Sequence, residues 1–238
     1  MIEQYVRHNL QYLDAFVILD NASTDGTREI LDALVGEGLP LRVIDDPVMG
    51  YVQAEKMTAL LNQVGEEEDP DVVLLLDADE FLLAPSRPAL EAAIAALPSG
   101  TAGLLGWKTF LYMGASTNVQ LRRLYRCRRL LARAQPRIDQ DDPMRDDPIR
   151  RMIRRRREER PRYFKIVLRR ESGAHDWWAN LRLAQGYHSA EHILTGVLPA
   201  MELEGFALAH FPVRSRNQLQ SKIIGGWLAY LAKTPNSA

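Results

Sequence analysis

The sequence predicts an α/β protein, with a mostly parallel sheet flanked by helices. Three observations carry that reading. Strand-length apolar runs alternate with helical segments of roughly a dozen residues through the first half of the chain. The runs AFVILD (15–20) and DVVLLL (71–76) read as buried strands, as a sheet covered on both faces requires. Each leads into an acid, Asp20 or Asp77, at the carboxyl end where open α/β sheets bind ligands.

The elements follow in order. Residues 2–13 place Ile2, Tyr5, Val6, Leu10 and Leu13 on one helical face, with no Ser, Thr, Asp or Asn upstream as a cap. After strand 15–20, NASTDGT is a cluster of turn and capping residues. A second helix carries Ile30, Leu31, Leu34 and Val35 inward and stops at Gly36 and Gly38. LRVIDD (41–46) is a strand, and a third helix turns Val52, Met57, Leu60, Leu61 and Val64 inward. Strand 71–76 follows. Ser86 and Pro88 open a fourth helix with a Leu90, Ala93, Ile94 and Leu97 stripe. Residues 101–112 predict a strand pair or one extended segment, YFKIVLR (163–169) another strand, and residues near 216–232 a last helix. No internal repeat or clean boundary divides the chain. We read a single domain, 1–238, with a first half 1–112 and a second half 113–238 that holds a charged insert at about 133–162.

Composition narrows the classes. With 238 residues, 46% hydrophobic and 26% charged, the chain has the balance of a soluble globular protein with a sizeable core. A formal net charge of -1 gives no overall pull toward nucleic acid or anionic membrane. The single cysteine, Cys127, excludes an internal disulfide and a cysteine-only metal site, and fits a reducing compartment. No leader opens the sequence and no run reaches roughly 18 apolar residues; the late apolar stretch 193–211 is broken by Glu202 and Glu204. In the insert, residues 139–147 hold five aspartates and residues 145–162 nine arginines against four acids. The aspartates offset the arginines and no aromatics are interleaved, so no nucleic-acid partner is expected. A solvated helix comes first, and weak peripheral contact with anionic lipid second.

The chemistry starts at LLLDADEFLL (74–83), where Asp77, Asp79 and Glu80 interrupt a strand sequence that then returns to the core at Phe81, Leu82 and Leu83. Burying uncompensated carboxylates costs several kcal/mol or a large pKa shift, so something must sit against them. An Asp-x-Asp at a strand end suits a hard divalent cation that completes its shell with water and phosphate oxygens. The plainer alternative is a solvated acidic turn. Asp20 offers an acceptor to a nucleobase imide or ribose hydroxyl, beside a helix N-terminus that favours anions. Ser23, Thr24 and Asp25 are capping residues for that helix, and Ser23, Thr24 and Gly26 read as structural.

Together, VILDNASTDGTREIL and LLLDADEF resemble the nucleotide-binding turn and the metal–diphosphate (DXD) motif of family-2-type glycosyltransferases of the GT-A fold. GYVQAEKMTAL (50–60), QGYH (185–188) and LAHFPVRSRNQLQSKIIGGWLA (208–229) resemble further segments of a family-2-like subgroup. The resemblance implies a GT-A-like (Rossmann-like) sheet with an irregular C-terminal acceptor-side region. It implies a hexosyltransferase-like enzyme moving sugar from a nucleotide-diphospho donor to an acceptor hydroxyl, with inversion and a Mg or Mn cofactor. Asp20, Asn21, Asp77, Arg214 and Lys222 would bind the nucleotide sugar; Asp77, Asp79 and His210 would hold the metal. His188 and Trp177 fall on the acceptor side, and Asp176 and Glu191 are the candidates for the base. The acceptor is a saccharide, a lipid-linked molecule or a protein. The expected location is cytoplasmic, with the inner face of the membrane as a second, peripheral option.

Two departures bear on this. Many relatives have a second aspartate at Asn21. They also begin with a strand, bearing an Asn-Glu or similar pair, before the helix that here starts at Met1. The start assigned at an internal methionine is the preferred explanation. The other is a real truncation with an unpaired strand edge, which makes a non-catalytic or impaired nucleotide-sugar-binding remnant the alternative function. A nucleotidyltransferase is a second alternative, although no glycine-rich basic phosphate loop is visible.

Overall fold

The structure is a computed structural model that describes residues 1–47, 53–111, 164–174 and 176–213. The charged insert, the predicted last helix, Arg214 and Lys222 lie outside the described residues.

The α/β class holds, and the elements predicted up to residue 169 appear in order, with further strands at 80–83 and after 180. Helix α1 (Ile2–Asn9) precedes strand β1 (Phe16–Asp20), α2 (Thr27–Gly36) and β2 (Leu41–Asp45). Helix α3 (Gln53–Glu68) leads to β3 (Val72–Leu74) and β4 (Glu80–Leu83), followed by α4 (Arg87–Ala95) and one long strand, β5 (Ala102–Leu111), rather than a pair. Strand β6 (Phe164–Arg169) matches the YFKIVLR prediction. Short strands β7 (Leu181–Leu183), β8 (Ala190–His192) and β9 (Gly196–Val197) form a small antiparallel sheet, and β10 (Ala200–Val213) ends the described chain. Among the described residues no helix is long and apolar enough to cross a membrane.

The sheets are mixed. Parallel pairing, expected to predominate, occurs between β1 and β2 and between β5 and β10. Strands β3, β4 and β6 pair antiparallel within the order β3-β6-β5-β10-β4. Strands β3 and β4 are the two edges of that order: β3 pairs with β6 and β4 with β10, so neither pairing joins strands consecutive in the chain. Strands β1 and β3 each have a β-partner on one edge only among the described residues.

Three apolar clusters hold the elements together. Leu82, Leu105, Val167 and Leu208 line one face of the five-stranded sheet under Leu90, Ile94 and Leu97. On its opposite face Ile166 and Leu168 meet Leu61, Trp178 and Leu181. There the fit around Gly65 of α3 is close: a Cβ would lie 2.0 Å from that of Trp178. The third cluster joins Tyr5 and Val6 of α1 to Leu31, Leu34 and Leu41, with Leu76 and Phe81 packed against it. Side-chain packing thus ties β1–β2 to the larger sheet.

Helix α1 also shields the free edge of β4. Asn9, fully buried, donates from Nδ2 to the Glu80 carbonyl at 3.2 Å and accepts from the Leu82 N–H at 2.9 Å. Its amide thereby makes the two backbone bonds that one residue of a neighbouring strand would make. A ring nitrogen of His8 donates to the Leu82 carbonyl at 2.7 Å. These bonds satisfy backbone groups that would otherwise be stranded at a buried edge.

Candidate functional site

Strand register builds the site. Side chains two residues apart share a sheet face, so Leu105 and Trp107 on β5 line up with Lys165 on β6, and Glu80 on β4 stands opposite His210 on β10. This face is apolar toward α4 and becomes charged at the carboxyl ends of β5 and β10. Because β3 runs in the same direction, Asp77 beyond its end arrives at the same place.

Asp77 to Glu80 is a tight turn, not an extended strand. The Glu80 N–H donates to the Asp77 carbonyl at 2.9 Å, and the Asp77 N–H donates to Glu80 Oε2 at 2.9 Å. This turn sends the two aspartates to different partners. Lys165 Nζ donates to Asp77 Oδ2 at 2.8 Å and stands 3.7 Å from Glu80 Oε2. Gln53 Nε2 donates to Asp77 Oδ1 at 3.4 Å. Asp79, buried, has Oδ1 3.7 Å from His210 Nε2. His210 packs on Trp107 with ring centroids 4.3 Å apart, and His188 meets the same indole at 5.6 Å.

Lys165 is what sits against the acids. It is 1% exposed near the start of an apolar strand, a position an ammonium tolerates only when paired. Tyr187 lies 4.5 Å and Trp107 5.8 Å from its Nζ, adding cation–π attraction. Glu80, fully buried, is pushed up to about 8 by burial first, with Lys165 pulling the other way and Asp77 and Asp79 adding repulsion. The neutral acid is therefore the resident form below that pH. Burial also raises the Tyr5 hydroxyl well above its ordinary range, reinforced by the same acids.

The second part lies at the ends of β1 and β2. Asp20, buried, accepts from the Ser23 N–H at 3.3 Å. Asn21 Nδ2 donates to the Asp46 carbonyl at 2.8 Å and to Asp46 Oδ2 at 2.9 Å, and Lys56 of α3 forms an ion pair with Asp46. Ala22 holds φ 53°, a left-handed conformation that costs a residue with a Cβ about 1–2 kcal/mol. Of the expected caps, Asp25 serves: its Oδ1 accepts from the Thr27 N–H at 3.2 Å, while Gly26 is the N-cap of α2. Sequence reasoning passed over Asp46, Lys56 and Lys165. Each borders an apolar run, and only the fold brings it to the partner it uses.

Other predicted residues fall elsewhere. Trp177, expected to offer a ring on the acceptor side, is 3% exposed in the core and stacked on His192 at 5.0 Å. The strained Asp176 (φ 61°) turns it inward, so the ring presents no open platform. Asp176 and Glu191 are both exposed, and neither makes a hydrogen bond or ion pair with the acid turn. His188 Nδ1 donates to the Phe164 carbonyl at 2.6 Å, which fixes its ring beside Trp107.

Among the described residues no group of three or more His, Cys, Asp or Glu is placed to hold a metal ion. Asp79 and His210 nevertheless give one oxygen and one nitrogen donor. That pair fits a cation whose shell is completed by phosphate oxygens and water. Asp77 is committed to Lys165.

A family model, Glycosyl transferase family 2, matches residues 2–157. The chain belongs to glycosyltransferase family 2. Comparison with curated proteins and with solved structures found no match. Family 2 membership accords with the α/β, GT-A-like architecture, supports glycosyl transfer as the general activity, and implies a nucleotide-sugar donor and an acceptor. It also accords with the resemblance carried by the Asp20 turn and the Asp77–Glu80 turn.

Proposed function

We propose that this family 2 chain transfers a sugar from a nucleoside-diphosphate donor to an acceptor hydroxyl, with inversion and with help from Mg or Mn. The observation that carries the reading is the meeting of Asp77, Asp79, Lys165 and His210 at one end of the sheet. Asp20, at the end of β1, accepts a hydrogen bond from the base or ribose. Asp79 and His210 would hold the cation, which would supply electrophilic stabilisation to a departing diphosphate. The acceptor oxygen forms its bond to the anomeric carbon as the bond to the diphosphate oxygen breaks. The nucleoside diphosphate leaves with the electron pair, and the acceptor proton passes to a base. The exposed Asp176 and Glu191 are not assigned that proton, because neither contacts the acid turn. Arg214 and Lys222 keep the role the resemblance implies, neutralising the leaving group. His188 and Trp107 stand on the acceptor side as a packed pair.

Calorimetric titration of UDP and GDP with and without manganese tests this reading. Binding that requires manganese and is lost in Asp79→Ala is expected. Metal-independent binding with no turnover of any donor would instead support the non-catalytic remnant, and no binding of either nucleotide would overturn the transferase.

A further inference from the structure

Resting on the transferase reading, we infer that Lys165 is a positioning residue: a built-in counter-cation that fixes Asp77, itself held by the ring of Tyr187. Lys165 is too buried to reach a substrate directly, and its Nζ donates to Asp77 Oδ2 at 2.8 Å. Asp77 is half-buried, with a third of its side chain exposed, so it is the member of the pair that solvent and a ligand can reach. The ammonium acts through it. Without that cation, the Asp77 and Asp79 carboxylates crowd one short turn, with Glu80 buried beside them and no positive charge among the residues of that turn. Repulsion then moves the aspartates apart and spoils the place for cation and diphosphate.

The clamp on Lys165 is costly to build, which argues that its position matters. Tyr187 takes φ 57°, left-handed for a residue with a Cβ, directly after Gly186 at φ 73°. A Cβ at Gly186 would lie 2.8 Å from His188 Nε2, so glycine is needed there. This double left-handed turn sets the Tyr187 ring 4.5 Å from Nζ on one side and the His188 ring against Trp107 on the other. Strain of this kind persists only where the surroundings enforce it.

The test pairs stability with binding. Thermal melts without ligand compare wild type, Asp77→Asn, Lys165→Met and the double variant. The double is expected to melt no lower than the less stable single, because it leaves neither charge buried alone. In titrations of UDP and GDP with manganese, Lys165→Met is expected to lose at least tenfold in affinity, and Lys165→Arg to recover part of that loss. Should Lys165→Met fail to fold, Tyr187→Leu keeps the charge but frees the ammonium, and a loss of about fivefold is expected. Wild-type binding that survives Lys165→Met within twofold, or is unmoved by Tyr187→Leu, would overturn this inference alone. So would melting shifts that simply add. Absence of binding by the wild type would overturn the transferase reading, and this inference with it.

Discussion

Replacing Glu80 with glutamine should change how stability depends on pH, and the size of the change follows from its burial. Glu80 is fully buried, one carboxylate oxygen accepts the Asp77 N–H, and its proton is held to about 8 against an ordinary 4.5. Between those values the unfolded chain has released the proton while the folded chain retains it. The folded state then binds more protons, so stability falls as pH rises. The contribution is fully present below about 4.5 and is lost as pH passes through about 8. The interval, 8 − 4.5, is roughly 3.5 pH units, and at about 1.36 kcal/mol each the total approaches 5 kcal/mol. Glutamine keeps an acceptor for the Asp77 N–H and has no proton to lose. Urea unfolding at several pH values between 5 and 8, in chelator, should show wild type losing about 1 kcal/mol per unit relative to Glu80→Gln. Parallel stability curves for the two proteins would refute the reasoning, because Glu80 would then titrate alike in folded and unfolded chains.

Two further outcomes follow from the packing. Asn9→Ala should cost about 1–3 kcal/mol in urea unfolding, because the Glu80 carbonyl and Leu82 N–H lose their partner at a buried edge; an unchanged midpoint would show that the edge is satisfied otherwise. Gly65→Ala should cost about 1–3 kcal/mol through overpacking against Trp178, lowering the melting temperature; a gain, as helix propensity alone would give, would contradict the observed contact.

The fold was legible where local pattern decides it. Apolar periodicity placed the four α-helices among the described residues, and the Ser86 cap appeared as read, with its Oγ accepting the Ala89 N–H at 3.2 Å. Strand direction was not legible, because the partners of β6 and β10 are set by contacts far apart in sequence. The 14-residue β10 hid behind Glu202, Glu204 and Gly205, where its register against β5 shifts. The acid turn was visible because carboxylates inside an apolar run demand a partner. The partner was not visible, since Lys165 in YFKIVLR reads as an ordinary outward residue of a strand. Asn9 escaped for the same reason, as a polar residue on an otherwise apolar helix face whose use depends on the edge it meets. Trp177 shows the opposite case: its ring, expected on the acceptor side, fills the core.

The most direct test of the account is turnover of a panel of nucleotide sugars, followed by release of nucleoside diphosphate with manganese present. The account predicts release from at least one donor, lost with chelator and reduced at least a hundredfold, on the order of 3 kcal/mol, in Asp79→Ala. Release that continues undiminished in chelator and in Asp79→Ala would contradict it.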